Sequence, residues 1–127
     1  MPRRDVASAR SIGALCVKYD QVPRIADAGD QQQHQPDRKR FERVEEMVRL
    51  SRYGGDCYAY CMLAAGHIDL IIETELKPHD VIPLVPIIAG AGGVITTWEG
   101  GSAAAGGRII AAGDKRVHAA AMAALKG

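Results

Sequence analysis

Two acids seven residues apart, Glu73 and Asp80, flank the turn in "ETELKPHD", and a long apolar run ending in paired glycines, "VIPLVPIIAGAGG", follows them. Glu73 closes the β-branched run "IDLIIE" and Asp80 opens the next apolar segment. Carboxylates at neighbouring element ends can face one crevice, and in open α/β sheets such crevices bind ligands. Asp80 has two readings. It can be a helix N-cap that accepts the first free N–H groups. It can also hold a divalent cation beside a phosphate, because a helix N-terminus attracts the anion and a carboxylate suits a hard metal ion. Two acids alone favour the cap-and-surface reading, and the readings are not exclusive.

Other residues invite chemistry less strongly. Cys57 and Cys61 stand four apart, on one face of a helix, with His67 nearby. A zinc site would need a fourth ligand, so core thiols are expected there. His118 lies among alanines and is expected at a surface or edge; Trp98 is expected to pack at a strand end. The basic cluster "DRKRFER" reads as a solvated helix start rather than an RNA contact. His79, adjacent to Asp80, fits either a contact that supports a metal ligand or plain packing.

The elements that position these groups come from pattern. With 127 residues, 47% apolar content and a formal charge of +1, the chain suits one small domain and carries no electrostatic argument for nucleic acid or an acidic membrane. No apolar run reaches the roughly 18–20 residues that span a bilayer. Three cysteines without a secretory signal, and a basic start "MPRRDVASARS" weakened as a transit peptide by Asp5, point to the cytoplasm. The polar stretch 27–40, "DAGDQQQHQPDRKR", reads as a mobile loop that divides a weakly patterned part, 1–40, with a short strand in "SIGALCVKYD", from an α/β unit, 41–127. In that unit the patterns predict a helix in "FERVEEMVRL", a buried helix in "DCYAYCMLAA" stopped by Gly66, and a strand in "IDLIIE". A helix from Asp80 to about Ala91, kinked at Pro86, follows, then strands "GVITTW" and "RIIAAG" and a last helix capped by Asp114. Strands alternating with helices imply a layered α/β fold.

From Tyr53 to Leu125 the chain closely resembles the C-terminal half of the inositol monophosphatase family. "KPHD" stands where that family carries a Trp-Asp pair, and "AGAGG" where it carries Glu-Ala-Gly-Gly after an apolar helix. Histidine in place of tryptophan, together with "RYGGDCYAYC", is most similar to the histidinol-phosphate phosphatase branch of histidine biosynthesis. The resemblance implies the C-terminal half of an inositol monophosphatase-like α/β fold. It implies Mg²⁺ as cofactor, Asp80 as a metal ligand, Glu73 as a contact for a substrate hydroxyl and Asp56 at a substrate-contacting helix start. Gly54 and Gly55 would let backbone approach the substrate. The implied reaction is metal-assisted hydrolysis of a small phosphate monoester such as histidinol phosphate, whose cationic end suits Asp56 and Glu73.

One departure from the family is large. Neither "DPIDGT" nor "DPLDGT", the metal motif of the family's first half, occurs in this chain. One aspartate cannot hold a catalytic pair of Mg²⁺ ions. The expectation is therefore half of a phosphatase, inactive alone, whose partner is the N-terminal half in cis or in trans, with a homodimer also compatible. The alternative is a non-catalytic substrate-binding or oligomerisation module.

Overall fold

A computed structural model describes residues 15–18, 31–48, 51–53 and 56–127. In chain order its elements are β1 (Leu15–Lys18), α1 (Gln31–Glu45), β2 (Ser51–Tyr53), α2 (Asp56–Ala64), β3 (Leu70–Leu76), α3 (Pro78–Val81), α4 (Leu84–Gly90), β4 (Val94–Thr97), β5 (Gly107–Ala112) and α5 (Lys115–Lys126). A short 3₁₀ turn, Ala103–Ala105, precedes β5.

The strands form one mixed sheet in the order β2-β1-β3-β5-β4. β1 runs parallel to β2 and β3, while β5 is antiparallel to β3 and β4. The apolar runs of β3 and β5 do not alternate with polar residues, the signature of strands covered on both faces. Leu70, Ile72, Ile110 and Ala112 pack with Phe41 and Val44 of α1, with Trp98 and with Val117, Ala121 and Leu125 of α5. Ile71 and Ala111, one residue out of phase, pack with Ala59, Tyr60 and Leu63 of α2 and with Leu84 and Ile88 of α4. The result is three layers: α1 and α5 on one face, the sheet, and α2 and α4 on the other.

Four expectations about the elements need correction. Residues 31–40 are not a loop but the first two-thirds of α1. Gln, Arg and Lys are good helix formers, and polar composition disguised a helix whose apolar anchors, Phe41 and Val44, come late. Residues 27–30 lie outside the described residues. Next, β3 runs on past Glu73 to Leu76, with a register shift against β5 between those two residues. The segment after Asp80 is two short helices rather than one kinked helix, and the break falls at Ile82–Pro83. Neither Pro83 nor Pro86 has an N–H to give, and the Pro86 ring opposes a helical carbonyl at Ile82, so the chain restarts at α4 with Pro86 in its first turn. Lastly, Cys57 and Cys61 are exposed, because α2 buries the side that carries Ala59, Tyr60 and Leu63.

Other expectations hold. Gly66 ends the α2 region at φ 90°, with His67 N–H donating back to Met62. The Asp114 carboxylate accepts from the Arg116 N–H at 2.7 Å and caps α5. Trp98 lies just past β4, is fully buried and donates through Nε1 to the Ile109 carbonyl at 3.1 Å. The glycine pair in "AGAGG" has a packing reason. Gly92 turns the chain at φ 84°, and a Cβ on Gly93 would stand 2.8 Å from the Ala112 carbonyl oxygen, so the approach of this segment to β5 requires glycine.

The basic cluster is structural rather than merely solvated. Arg40 Nε and Arg43 Nε donate to the carbonyls of Leu125 and Ala124, each at 2.8 Å, satisfying groups that the end of α5 leaves without helical partners. Arg40 also lies 5.1 Å from the Trp98 ring centre and Arg108 5.8 Å from it. Arg108 bonds Asp37 at 2.7 Å and Glu99 at 2.8 Å, tying α1 to the β4–β5 edge.

Candidate active site

The parallel strands β2 and β1 end level with the middle of β3, which continues to Leu76. Lys18, the last residue of β1, is in register with Glu73, and β2 ends at Tyr53, just before the segment that leads into α2. Carboxyl ends of parallel strands are where open α/β sheets collect ligands. The first residue of α2, Asp56, opens the helix one turn before Tyr60. Gly54 and Gly55 lie outside the described residues.

Glu73 is 3% exposed, and Tyr60, 2% exposed, donates its hydroxyl to Glu73 Oε2 at 2.8 Å. A carboxylate taken from water without hydrogen bonds is costly, so a donor at this distance is what makes the position tenable. Strand parity explains the pairing: Glu73 shares a face with Ile71, the face that α2 covers. Sequence reasoning missed Tyr60. The usable signal was a tyrosine on the apolar side of a helix, since a buried phenol needs a polar partner.

Asp80 sits differently. α3 begins at Pro78 with Lys77 as N-cap, so Asp80 is the third helical residue and not the cap expected from the sequence. Its Oδ2 accepts from the Lys77 N–H at 3.0 Å, and its own N–H donates to the Lys77 carbonyl at 2.9 Å. This is the carboxylate half of a capping box. The side chain remains 46% exposed, and His79 Nε2 stands 3.4 Å from Oδ1, with His79 itself 76% exposed. The structure thus brings His79 and Asp80 together, by contact rather than by packing. It sets Glu73 apart in the α2–β3 interior.

The turn that carries Asp80 is pinned from below. Val81 packs with Ala103 and Ile109. A Cβ on Gly106, at φ 71°, would meet the Leu76 carbonyl oxygen at 2.4 Å, so the chain after the 3₁₀ turn can lie against the β3–α3 turn only as glycine. A divalent metal would find one half-exposed hard carboxylate here. Among the described residues no group of three or more His, Cys, Asp or Glu side chains is arranged to hold a metal ion. Asp80 fits as one ligand of a larger set.

His118, expected at a surface or edge, is half-buried, with Nε2 2.8 Å from Thr96 Oγ1. The Thr96 hydroxyl gives its proton to the Thr97 carbonyl, so the imidazole donates. Burial holds the His118 pKa below the usual histidine value. Among the described residues no helix is long and apolar enough to cross a membrane.

The layered α/β fold carries Glu73 in β3 and Asp80 in α3, and the comparisons identify its family. The family model described as "Inositol monophosphatase family" matches residues 14–127, and the chain belongs to that family. It is 43% identical over 97 residues to the bifunctional phosphatase IMPL2, chloroplastic, of Arabidopsis thaliana, covering 69% of this chain and 28% of that protein. It is 31% identical over 74 residues to the histidinol-phosphatase of Mycobacterium tuberculosis, covering 58% of this chain and 28% of that protein. Among solved structures, an inositol monophosphatase from Zymomonas mobilis matches with a TM-score of 0.74 and 30% identity, over 91% of this chain and 43% of that one. The chain therefore spans about a quarter of the length of the curated relatives it matches and under half of that solved chain.

Proposed function

We propose that the chain is the C-terminal part of a Mg²⁺-dependent phosphomonoesterase whose substrate is histidinol phosphate or a similarly small, cationic phosphate monoester. The observation that carries this is the pair of acids in unlike settings. One carboxylate, Asp80, is half-exposed and fixed by a backbone N–H; the other, Glu73, is buried within β3, beside the carboxyl end of β1. An exposed, oriented carboxylate suits a hard cation. A buried one suits a substrate ammonium or hydroxyl that can replace water as its partner.

In this reading Asp80 is one ligand of Mg²⁺, and His79, 3.4 Å away, supports its orientation. Bound Mg²⁺ would supply charge neutralisation at the phosphate and an acidified water. The protein's own groups bind and orient. Glu73 and Asp56 receive the organic end of the substrate, and Gly54 and Gly55 admit it close to the backbone. A Mg²⁺ ion takes near-octahedral oxygen coordination. The further acids are expected from an N-terminal half, supplied in cis or in trans, and the 127-residue chain by itself is expected to be inactive.

Phosphate release from histidinol phosphate, measured with and without Mg²⁺, tests this reading. The purified chain should match a blank, and adding the N-terminal half of the mycobacterial relative should give Mg²⁺-dependent release. Turnover by the chain alone would overturn the half-site reading. A stable complex of the two halves that stays inactive would overturn the enzymatic one and leave a binding module.

A further inference from the structure

We infer that the outer face of α2 and α4, the side turned away from the sheet, is the docking surface for the N-terminal half of the family fold. The inference rests on the reading of Asp80 as one ligand of a larger metal set; the face itself is read from exposure and charge.

α2 and α4 pack together against the sheet through Ala59, Leu63, Leu84 and Ile88. The opposite side of the pair carries Tyr58, 67% exposed, and Ile87, 45% exposed, with Cys57 and Cys61 also exposed on α2. Ile82, 51% exposed, extends this surface to the turn between α3 and α4. No Asp, Glu, Lys, Arg or His stands between Cys57 and Gly66, or between Val81 and Trp98. The other helical layer is unlike it: α1 and α5 turn Arg38, Lys39, Glu42, Lys115 and Arg116 to solvent. A solvated helix ordinarily carries charge on its outer side, and an exposed uncharged patch marks a surface that another body covers.

Position selects the occupant. Ile82 is two residues from Asp80, so whatever completes the metal set at Asp80 stands over the start of this patch. More than half of the solved Zymomonas mobilis chain has no counterpart in this one. A second copy would cover the face but bring only another Asp80, whereas Mg²⁺ takes several oxygen ligands. The covering surface must itself be apolar, because a charge buried against Tyr58 or Ile87 would find no partner among these side chains. Docking of the halves thus buries the apolar face and closes the metal set in one event.

The test uses the full 127-residue chain, alone and with the N-terminal half of the mycobacterial relative fused ahead of it. Cys57 and Cys61 are the reporters, through iodoacetamide labelling located by tandem mass spectrometry. Labelling of both should slow at least about tenfold in the fusion, the protection given by a face closed roughly nine-tenths of the time. Ile87→Asp and, on the other helix, Tyr58→Asp should each restore the rate seen in the chain alone. Ala119→Asp, on the exposed side of α5, should leave the protection intact. Thermal melts of each variant in the chain alone separate lost docking from lost folding, and the Tyr58 variant carries the test should the Ile87 variant unfold.

The possible failures are distinct. Mg²⁺-dependent phosphate release by a fusion whose Cys57 and Cys61 label at the free rate overturns the docking face and leaves the half-site reading standing. Protection without phosphate release supports the face and counts against the enzymatic reading. A fusion that shows neither overturns both. Protection that survives Ile87→Asp and Tyr58→Asp overturns the inference. So does protection in the chain alone that grows with its concentration, which would assign the face to a second copy.

Discussion

On the face of the sheet covered by α1 and α5, charged side chains end on one another or on backbone. Arg40 and Arg43 close the end of α5, and Arg108 bridges Asp37 and Glu99 beside Trp98. At the α2–β3–α3 edge the acids are handled otherwise. Glu73 is sunk against a tyrosine in an otherwise apolar layer, and Asp80 is anchored by a backbone N–H while half of it stays in water. The first region uses charge to fasten a helix that has little apolar surface. The second buries one acid and leaves the other half in water, and that contrast is why we propose it as the functional edge.

The contrast breaks most visibly at Trp98. Trp98→Ala removes a fully buried ring together with its bond to the Ile109 carbonyl, and unfolding by denaturant should show a loss of about 3–5 kcal/mol. A loss under 1 kcal/mol would mean that the α1–Trp98 assembly is not a stabilising unit. A change at the other edge should do the opposite, altering function and sparing stability. In a context where the unsubstituted chain is active, Asp80→Asn keeps an acceptor for the Lys77 N–H, so it should melt within about 1 kcal/mol of the parent. It should lose Mg²⁺-dependent turnover by more than about 100-fold, beyond what outer-sphere changes around a metal give. Asp114→Asn, at the cap of α5, is the control and should leave turnover unchanged. Near-normal Mg²⁺ dependence in Asp80→Asn would reduce Asp80 to a capping residue.

The smallest expected effect sharpens the comparison on the α5 side. The His118 pKa is lowered by burial, so the unfolded chain binds a proton more readily than the folded one. Stability should therefore be flat above the ordinary histidine pKa of about 6.5 and fall as pH drops below it, until the folded-state pKa is passed. His118→Asn should flatten that part of the profile in thermal melts at stepped pH. A stability that instead rises on acidification through this window would contradict the burial of the ring.

Much of this fold was legible in the chain. β-branched runs marked strands, Gly66 and Asp114 marked a helix end and a helix start, and "KPHD" with "AGAGG" carried the resemblance that the family match bears out. The failures share a cause. The helical state of residues 31–40 depends on anchors at Phe41 and Val44 and on arginines that reach carbonyls more than eighty residues away in sequence, which no local window contains. Exposure of Cys57 and Cys61 was hidden because α2 is apolar on nearly every side, so composition could not say which side faces the sheet.

At the site the division is similar. Residue type and spacing alone determined that Glu73 lies in a strand, that Asp80 lies in the helical turn after it and that a glycine pair follows the apolar segment. Side-chain period and turn chemistry are local properties, and a sequence displays them directly. Only the tertiary structure decided that Glu73 is buried under Tyr60 while Asp80 stays half in water. That outcome depends on which helix covers which face of β3, and on Gly106 lying against the β3–α3 turn from thirty residues downstream. Burial and hydrogen bonding belong to surfaces brought together by folding, and these, rather than the identity of the acids, set what each carboxylate can do.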